Sequence, residues 1–461
     1  MLSKALCSDI IAKAMSTGAD FAEVYQELTR GNVIRLIGGK IDAIDDTVIS
    51  GVGVRAFLGT RTVYATTTDL SREGLLRCAS AVADTIAQSN AQVSINLTER
   101  IFPNIHGIKR LPGDAPVNER IGILKEACFA AKEYDERIAQ VQGNLISIDH
   151  SILVANSEEL YTTDRHVRTR LAVSAIASNG SENQSGFYGP GRAMGLEMFE
   201  TVNPAQTGIR AARQAIVNLG AVPCPAGVMP VAIDNGFGGV IFHEACGHSL
   251  EATSVAIGAS QMCGKMGQKI ANEKVTAIDD GTIPNAWGSI NIDDEGHPSQ
   301  KNVLIENGVL KSYMVDRLGS RRMGVPSTGS GRRQGYMYEP TSRMTNTYIA
   351  NGPDKNEDII ASIEYGLYAA SMGGGSVNPV NGAFNFAVNE GYIIRNGKIC
   401  EPVRGASLIG TGSQIIQDID MVGQNLELGQ GMCGSSSGSV PTNVGQPLIR
   451  VSKITVGGAG K

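Results

Sequence analysis

The sequence predicts an α+β fold: an N-terminal α/β domain with antiparallel meanders, followed by a C-terminal β-rich domain. Three observations carry this. At 461 residues the chain exceeds what one ordinary hydrophobic core organises, so two domains are expected. Its 56 glycines, well above average usage, demand many tight turns of the kind that join strands. Helical periodicity is concentrated before residue 220, whereas alternating apolar runs and hairpin turns dominate after it.

Taken in order, residues 2–15 place Leu2, Leu6, Ile10, Ile11 and Ala14 at helical spacing, with Lys4 and Asp9 interrupting, which reads as a folded amphipathic helix and not a signal peptide. Residues 21–68 read as a β-meander punctuated by Gly38-Gly39 and Gly59-Thr60. Ser71 caps a helix over 71–88 whose stripe is Leu75, Leu76, Ala79, Val82 and Ile86. The stretch 89–117, with Pro103, Pro112 and Pro116, is connecting structure. A helix over 118–134 then leads into alternating strands to about residue 177. Helix, strands, helix thus occurs twice, the pattern a duplicated architecture would leave.

A helix near 205–219 ends at Gly220, and the proline-rich AVPCPAGVMP that follows sets the boundary, giving domains 1–222 and 223–461. In the second, Asn307-Gly308 and Asn396-Gly397 are type I′ hairpin signals, while FNFAV at 384–388 and LIRVSKITV at 448–456 alternate as strands do.

The net charge of −5, from 40 basic and 45 acidic residues mixed along the chain, supplies no broad positive field for nucleic acid or anionic membrane. No apolar stretch approaches bilayer-spanning length, and eight scattered cysteines without a Cys-x-x-Cys pair suit a reducing compartment. A cytoplasmic protein is expected, with most of the thiols buried and inert.

The segment VMPVAIDNGFGGVIFHEACGHSLEAT runs from a strand through a glycine-rich turn into a helix bearing His243, Glu244 and His248. This is H-E-x-x-x-H. In the zinc-peptidase pattern H-E-x-x-H the histidines sit at i and i+4, about 40° apart, and reach one metal. Five residues correspond to about 140°, which would point the rings apart on a regular helix. A local distortion between residues 243 and 248, such as a π-bulge, is therefore predicted. The plainer alternative is two partly buried histidines and a solvated glutamate. Against it, two of only six histidines fall here beside a Glu on an otherwise buried helix. A third metal ligand is needed, and Cys246, Cys433, His297 and several carboxylates are candidates.

The chain resembles the TldD/PmbA family of metallopeptidases over nearly its whole length. The matching stretches are HEACGH at 243–248, AIDDGTIPNAWGSINIDDEGHPSQKNVLIENGVLKSYMVDR at 277–317, TSRMTNTYI at 341–349, NEGYIIRNGKICEPVRGASLIGTG at 389–412 and GMCG at 431–434. The histidine motif points to the TldD-type, catalytic branch. The resemblance implies Zn2+ held by His243, His248 and Cys433, with Glu244 as general base activating the attacking water. It also implies unfolded or extended peptides as substrate, in peptide maturation or clearance, and a homodimer or a heterodimer with a PmbA-type subunit. The competing readings are a non-catalytic binding protein of the gyrase-modulator type and a zinc hydrolase of non-peptide amides.

Four further segments receive plainer readings. Asp279-Asp280 and Asp293-Asp294-Glu295 lack calcium-loop spacing and are expected as acidic turns between strands. SGRRQGYMYEPTSR, with Arg332, Arg333, Tyr336, Tyr338 and Arg343, is expected as an exposed loop that contacts peptide. Gly236, Gly238 and Gly239 lack a phosphate-loop lysine and are assigned to close packing against the helix of His243.

Overall fold

A cap starts the chain: the Ser3 hydroxyl accepts from the Leu6 amide, and helix α1 spans Lys4–Met15. The computed structural model describes residues 1–88, 92–378 and 382–458. The meander follows as β1 (Phe21–Ile37), β2 (Lys40–Leu58) and β3 (Arg61–Thr67), and Ser71 caps α2 (Arg72–Ile86). Gly38 and Gly39 both take positive φ, which is why that turn needs glycine. Of the connecting stretch 89–117, residues 89–91 lie outside the described ones; the rest holds a two-residue strand and one 3-10 turn.

A second set repeats the first: α3 (Val117–Glu133), β4 (Ile138–Asn156), β5 (Leu160–Ser178), β6 (Asn183–Tyr188) and α4 (Pro204–Gly220). The two meanders join in one sheet of order β3-β2-β1-β4-β5, with β6 on β5 and the central pair β1 and β4 antiparallel. Alternation along β1 divides its faces. Ala22 and Val24 pack beneath α1 and α2, and Ile34 and Leu36 beneath α3 and α4. Glu23, Tyr25 and Glu27 point the other way.

In the C-terminal half, β7 (Gly227–Ile233) leads to a short helix α5 (Val240–Ala245). A sheet then forms from β8 (Ala277–Asp280), β9 (Lys301–Glu306) and, after helix α6 (Arg317–Met323), β10 (Asn346–Ile349). Next come β11 (Tyr365–Val377), β12 (Ala383–Arg395), β13 (Ser407–Thr411), a helix α7 (Gly412–Asp418), β14 (Glu427–Ser435), β15 (Gly438–Gln446) and β16 (Ile449–Gly457). The second sheet runs β9-β8-β10-β15-β14, so β14 is an end strand. In the third, β11, β7, β16, β13 and β12 pair in succession and β12 pairs back with β11, closing a five-stranded ring. Asn307-Gly308 and Asn396-Gly397 take the positive φ values their turns require.

Two expectations are corrected where the halves meet. The segment 330–343 is not an exposed loop: Arg332, Arg333, Tyr336 and Arg343 are buried. Arg333 donates to Glu23 (2.9 Å), and the Tyr336 amide donates to Glu27 (2.8 Å), so the outward face of β1 is what covers them. Of the two acidic segments only Asp293-Asp294-Glu295 forms the expected turn. Asp279 and Asp280 lie in β8, and Asp293, Asp294 and Glu295 are buried. Each finds donors that sequence distance conceals: Thr345 and Thr347 for Asp279, Arg55 for Glu295 and the Arg333 amide for Asp294. Arg55, fully buried, sits between Glu23 (2.9 Å) and Glu295 and ties the first sheet to the second half.

Asp316 caps α6, accepting from the Gly319 amide at 3.1 Å. Burial, reinforced by Glu295, pushes its carboxyl from 3.8 up to about 7. A raised folded value makes its contribution complete in acid and lost as pH rises through about 7. Asp316→Asn keeps the cap and cannot ionise. In denaturant unfolding it is expected to gain on the parent as pH climbs from about 4 to about 7. A stability difference independent of pH would refute this.

Candidate metal centre

The helix carrying the histidine motif is distorted where the spacing required it, though not by a π-bulge. Helix α5 stops at Ala245, Cys246 leaves helical geometry at φ −128°, and residues 247–250 turn as a 3-10 segment. Gly247 packs closely at the break: a Cβ there would lie 2.5 Å from Met344 Sδ, so a larger residue would require the methionine side chain to shift. The kink swings His248 back beside His243, with ring centroids 5.0 Å apart.

Both rings turn Nε2 to one sulfur: His243 lies 3.2 Å and His248 3.3 Å from Cys433 Sγ on end strand β14. These three side chains form a group whose donor atoms all lie within 4.8 Å of one another. Burial opposes ionisation of the thiol, but the two histidines outweigh it and bring Cys433 down to about 4. Burial would likewise lower His248, yet Glu251 and Cys433 raise it well above its ordinary value. Glu244 stands beside the group, its carboxylate 3.7 Å from His248 Nε2. With side-chain exposures of 28% and 17%, Glu244 and His248 line the open side, while His243 and Cys433 close the other.

The remaining ligand candidates go elsewhere. Cys246 is fully buried outside the group, and burial pushes its thiol up to about 12. His297 gathers with Asp293 and Glu295 in a second cluster within the same 4.8 Å criterion. The carboxylates there are already committed. Asp293 accepts from the amides of Glu295, His297 and Gly331, and Glu295 from Arg55 and the Arg317 amide. The carboxylates of that turn are thus taken up by protein donors, while His297 Nδ1 stands 3.6 Å from Asp293 without a hydrogen bond.

Sequence reasoning missed Glu251 and misplaced Arg343. Glu251, three residues past His248 and buried, receives His248 Nδ1 at 3.0 Å. Its position in His-Ser-Leu-Glu was the available signal. Arg343 is fully buried and donates to the Cys433 carbonyl, and Trp287 Nε1 donates to the Gly431 carbonyl at 2.9 Å, so β14 is held at its end of the sheet.

Helix α5 is seated by a glycine contact. A Cβ on Gly412 would fall 1.7 Å from the Ala245 carbonyl oxygen, backbone against backbone. Gly412→Ala is therefore expected to destabilise the protein by about 1–3 kcal/mol and to weaken metal retention, read by thermal unfolding and zinc titration. Gly122→Ala, on the exposed face of α3 where nothing lies within 4 Å, is the control and should if anything stabilise the helix, by up to about 1 kcal/mol. Equal behaviour of the two variants would refute the seating role.

A donor set of one thiolate and two imidazoles fits a borderline-soft divalent metal. Among the described residues no helix is long and apolar enough to cross a membrane.

Family models match almost throughout: PmbA/TldA metallopeptidase domain 1 over residues 22–85, the central domain over 110–219 and the C-terminal domain over 226–458. A metalloprotease TldD homolog of Haemophilus influenzae is 38% identical, covering 95% of this chain and 93% of its own length. A zinc metalloprotease TldD homolog of Saccharolobus solfataricus is 26% identical, covering 97% of this chain and 99% of its own. Among solved structures, TldE from Thermococcus kodakarensis shares the fold with a TM-score of 0.77 at 20% identity, covering 98% of this chain and 99% of that one. With three consecutive domain models and a TldD homolog aligned end to end, the chain belongs to the PmbA/TldA metallopeptidase family, the TldD/PmbA family that HEACGH and GMCG pointed to.

Proposed function

We propose that this protein is a zinc-dependent peptidase of unfolded or extended peptides, in which His243, His248 and Cys433 hold the metal and Glu244 is the general base. The observation that carries this is the convergence of two imidazole nitrogens and one thiol from segments 190 residues apart, with a carboxylate on the open side. Zinc is favoured by the thiolate-imidazole donor set and by the name of the Saccharolobus solfataricus relative.

Bound there, the metal would supply Lewis-acid polarisation of the scissile carbonyl and acidify water. The side chains supply the rest. Glu244 takes the proton from the attacking water and delivers it to the leaving amine, a task suited to a half-exposed carboxylate free of the donor group. His243 and Cys433, being buried, keep solvent from the rear of the site. An extended chain suits the open side because its amides are not committed to secondary structure. The likeness to TldE supports assembly with a PmbA-type subunit as well as with itself; mass measurement of the protein alone and mixed with such a subunit separates the two.

Purified protein is expected to contain about one zinc per chain and to cleave unstructured members of a peptide library. Stripping the metal with a chelator should stop cleavage and zinc should restore it, while Cys433→Ser should lose metal during purification. Undiminished cleavage after stripping, or zinc content unaffected by Cys433→Ser, would overturn the reading.

A further inference from the structure

Behind the donor group, two buried side chains link the ligands from the outside. Glu251 lies across the His248 ring from Cys433: Nδ1 is 3.0 Å from its Oε2, while Nε2 faces the sulfur at 3.3 Å. A carboxylate only accepts, so Nδ1 carries the proton of that contact. The other oxygen, Oε1, makes no hydrogen bond and lies 4.0 Å from Nε of Arg343. Arg343 in turn donates to Ser437 Oγ (2.9 Å), to the Gly438 carbonyl (2.8 Å) and, in a shorter contact, to the carbonyl of Cys433. Ser437 and Gly438 belong to the turn between β14 and β15, so one guanidinium grips the hairpin at its turn and at its ligand residue.

Imidazole, carboxylate, guanidinium and ligand carbonyl thus follow one another from His248 round to Cys433, the carboxylate and guanidinium facing each other as an ion pair at 4.0 Å without a hydrogen bond. A simple buried ion pair would be expected to bring the carboxylate and the guanidinium together fork to fork. Here each divides its contacts between its partner and a donor residue.

We propose that Glu251 and Arg343 are positioning residues that act as one unit, setting His248 Nε2 and Cys433 Sγ at the spacing the metal needs and so raising metal affinity. The inference rests on His243, His248 and Cys433 being the ligands. Glu251 fixes the tautomer and orientation of His248, and Arg343 fixes the height of Cys433 on the end strand. Lysine cannot replace the guanidinium, since a point charge has no fork to span the turn and the carbonyl.

The test uses the full chain, stripped of metal, with zinc affinity measured by competition against a chromogenic chelator and geometry by the thiolate-to-cobalt absorption of the Co2+ form. Glu251→Gln and Arg343→Lys should each weaken zinc binding by about ten- to a hundredfold and alter the Co2+ spectrum. The double variant should be no weaker than the worse single one, because both interrupt the same path. Folding is checked by circular dichroism; should Arg343→Lys not fold, Glu251→Gln alone decides. Parent-like affinity and spectrum in the folded variants, or losses that multiply in the double variant, overturn the proposal. If the parent shows no zinc binding that Cys433→Ser removes, the ligand assignment itself fails and this inference with it; intact parent binding with unaffected variants sinks only the inference.

Discussion

Glu244→Ala is expected to leave zinc bound while lowering cleavage of an unstructured peptide by about 10²–10⁴-fold, the usual span for removing a general base. The retained metal follows from the geometry: Glu244 is not one of the three converging donors, and its carboxylate stands 3.7 Å from Nε2 of His248, too far for a hydrogen bond. The lost rate follows from chemistry, since none of the three converging donors is free to act as that base. Glu244→Gln, isosteric but unable to take a proton, should be as impaired as alanine. Elemental analysis beside a single-peptide assay reads both quantities. Cleavage at the parent rate would remove Glu244 from the mechanism, and loss of zinc would make it a ligand instead.

The second large effect concerns stability. Arg55→Met is expected to destabilise the folded chain by about 3–5 kcal/mol, because it strips the shared cation from two buried carboxylates. Glu23 is the sharper case. Burial alone would raise its carboxyl, yet Arg55 and then Arg333 hold it at about 2, below the ordinary 4.5. Its contribution is complete above about 4.5 and is lost as pH falls toward about 2. Without Arg55, Glu23 keeps only Arg333 and Glu295 only the Arg317 amide to offset the cost of burial. Adding Glu23→Gln and Glu295→Gln to Arg55→Met should recover part of the loss. Denaturant unfolding measures each variant, and a loss under about 1 kcal/mol for Arg55→Met would show that the network contributes nothing beyond packing.

What the sequence disclosed sorts by the range of the forces involved. The cap at Ser71 and the turns at Gly38-Gly39, Asn307-Gly308 and Asn396-Gly397 are set by neighbours a few residues away, and they stand where local rules put them. The distortion between His243 and His248 was legible because five-residue spacing contradicts a regular helix. Its form, a helix end at Ala245 followed by a 3-10 turn, was not. Cys433 could not be chosen over Cys246 or His297 by spacing alone; the family resemblance singled it out, and its sulfur lies between the two rings. Arg332, Arg333 and Arg343 were misread for the converse reason. Charged residues between turns are ordinarily solvated, and only distant partners, such as Glu23 for Arg333 and the Cys433 hairpin for Arg343, make their burial possible. Glu251 was overlooked because a lone glutamate near a histidine reads as surface until its burial is seen.

The distance along the chain between the donors also bears on the lifetime of the protein. His243 and Cys433, 190 residues apart, meet only after α5 and the β14–β15 hairpin have been brought together. An unfolded chain therefore offers no assembled site, and a metal bound by these donors favours the folded state by mass action. At a hundred times its dissociation constant, such a ligand adds about 2.7 kcal/mol. On the proposed zinc assignment, metal supply would govern resistance to degradation as well as activity, and a shortage of the metal would expose the protein itself to turnover.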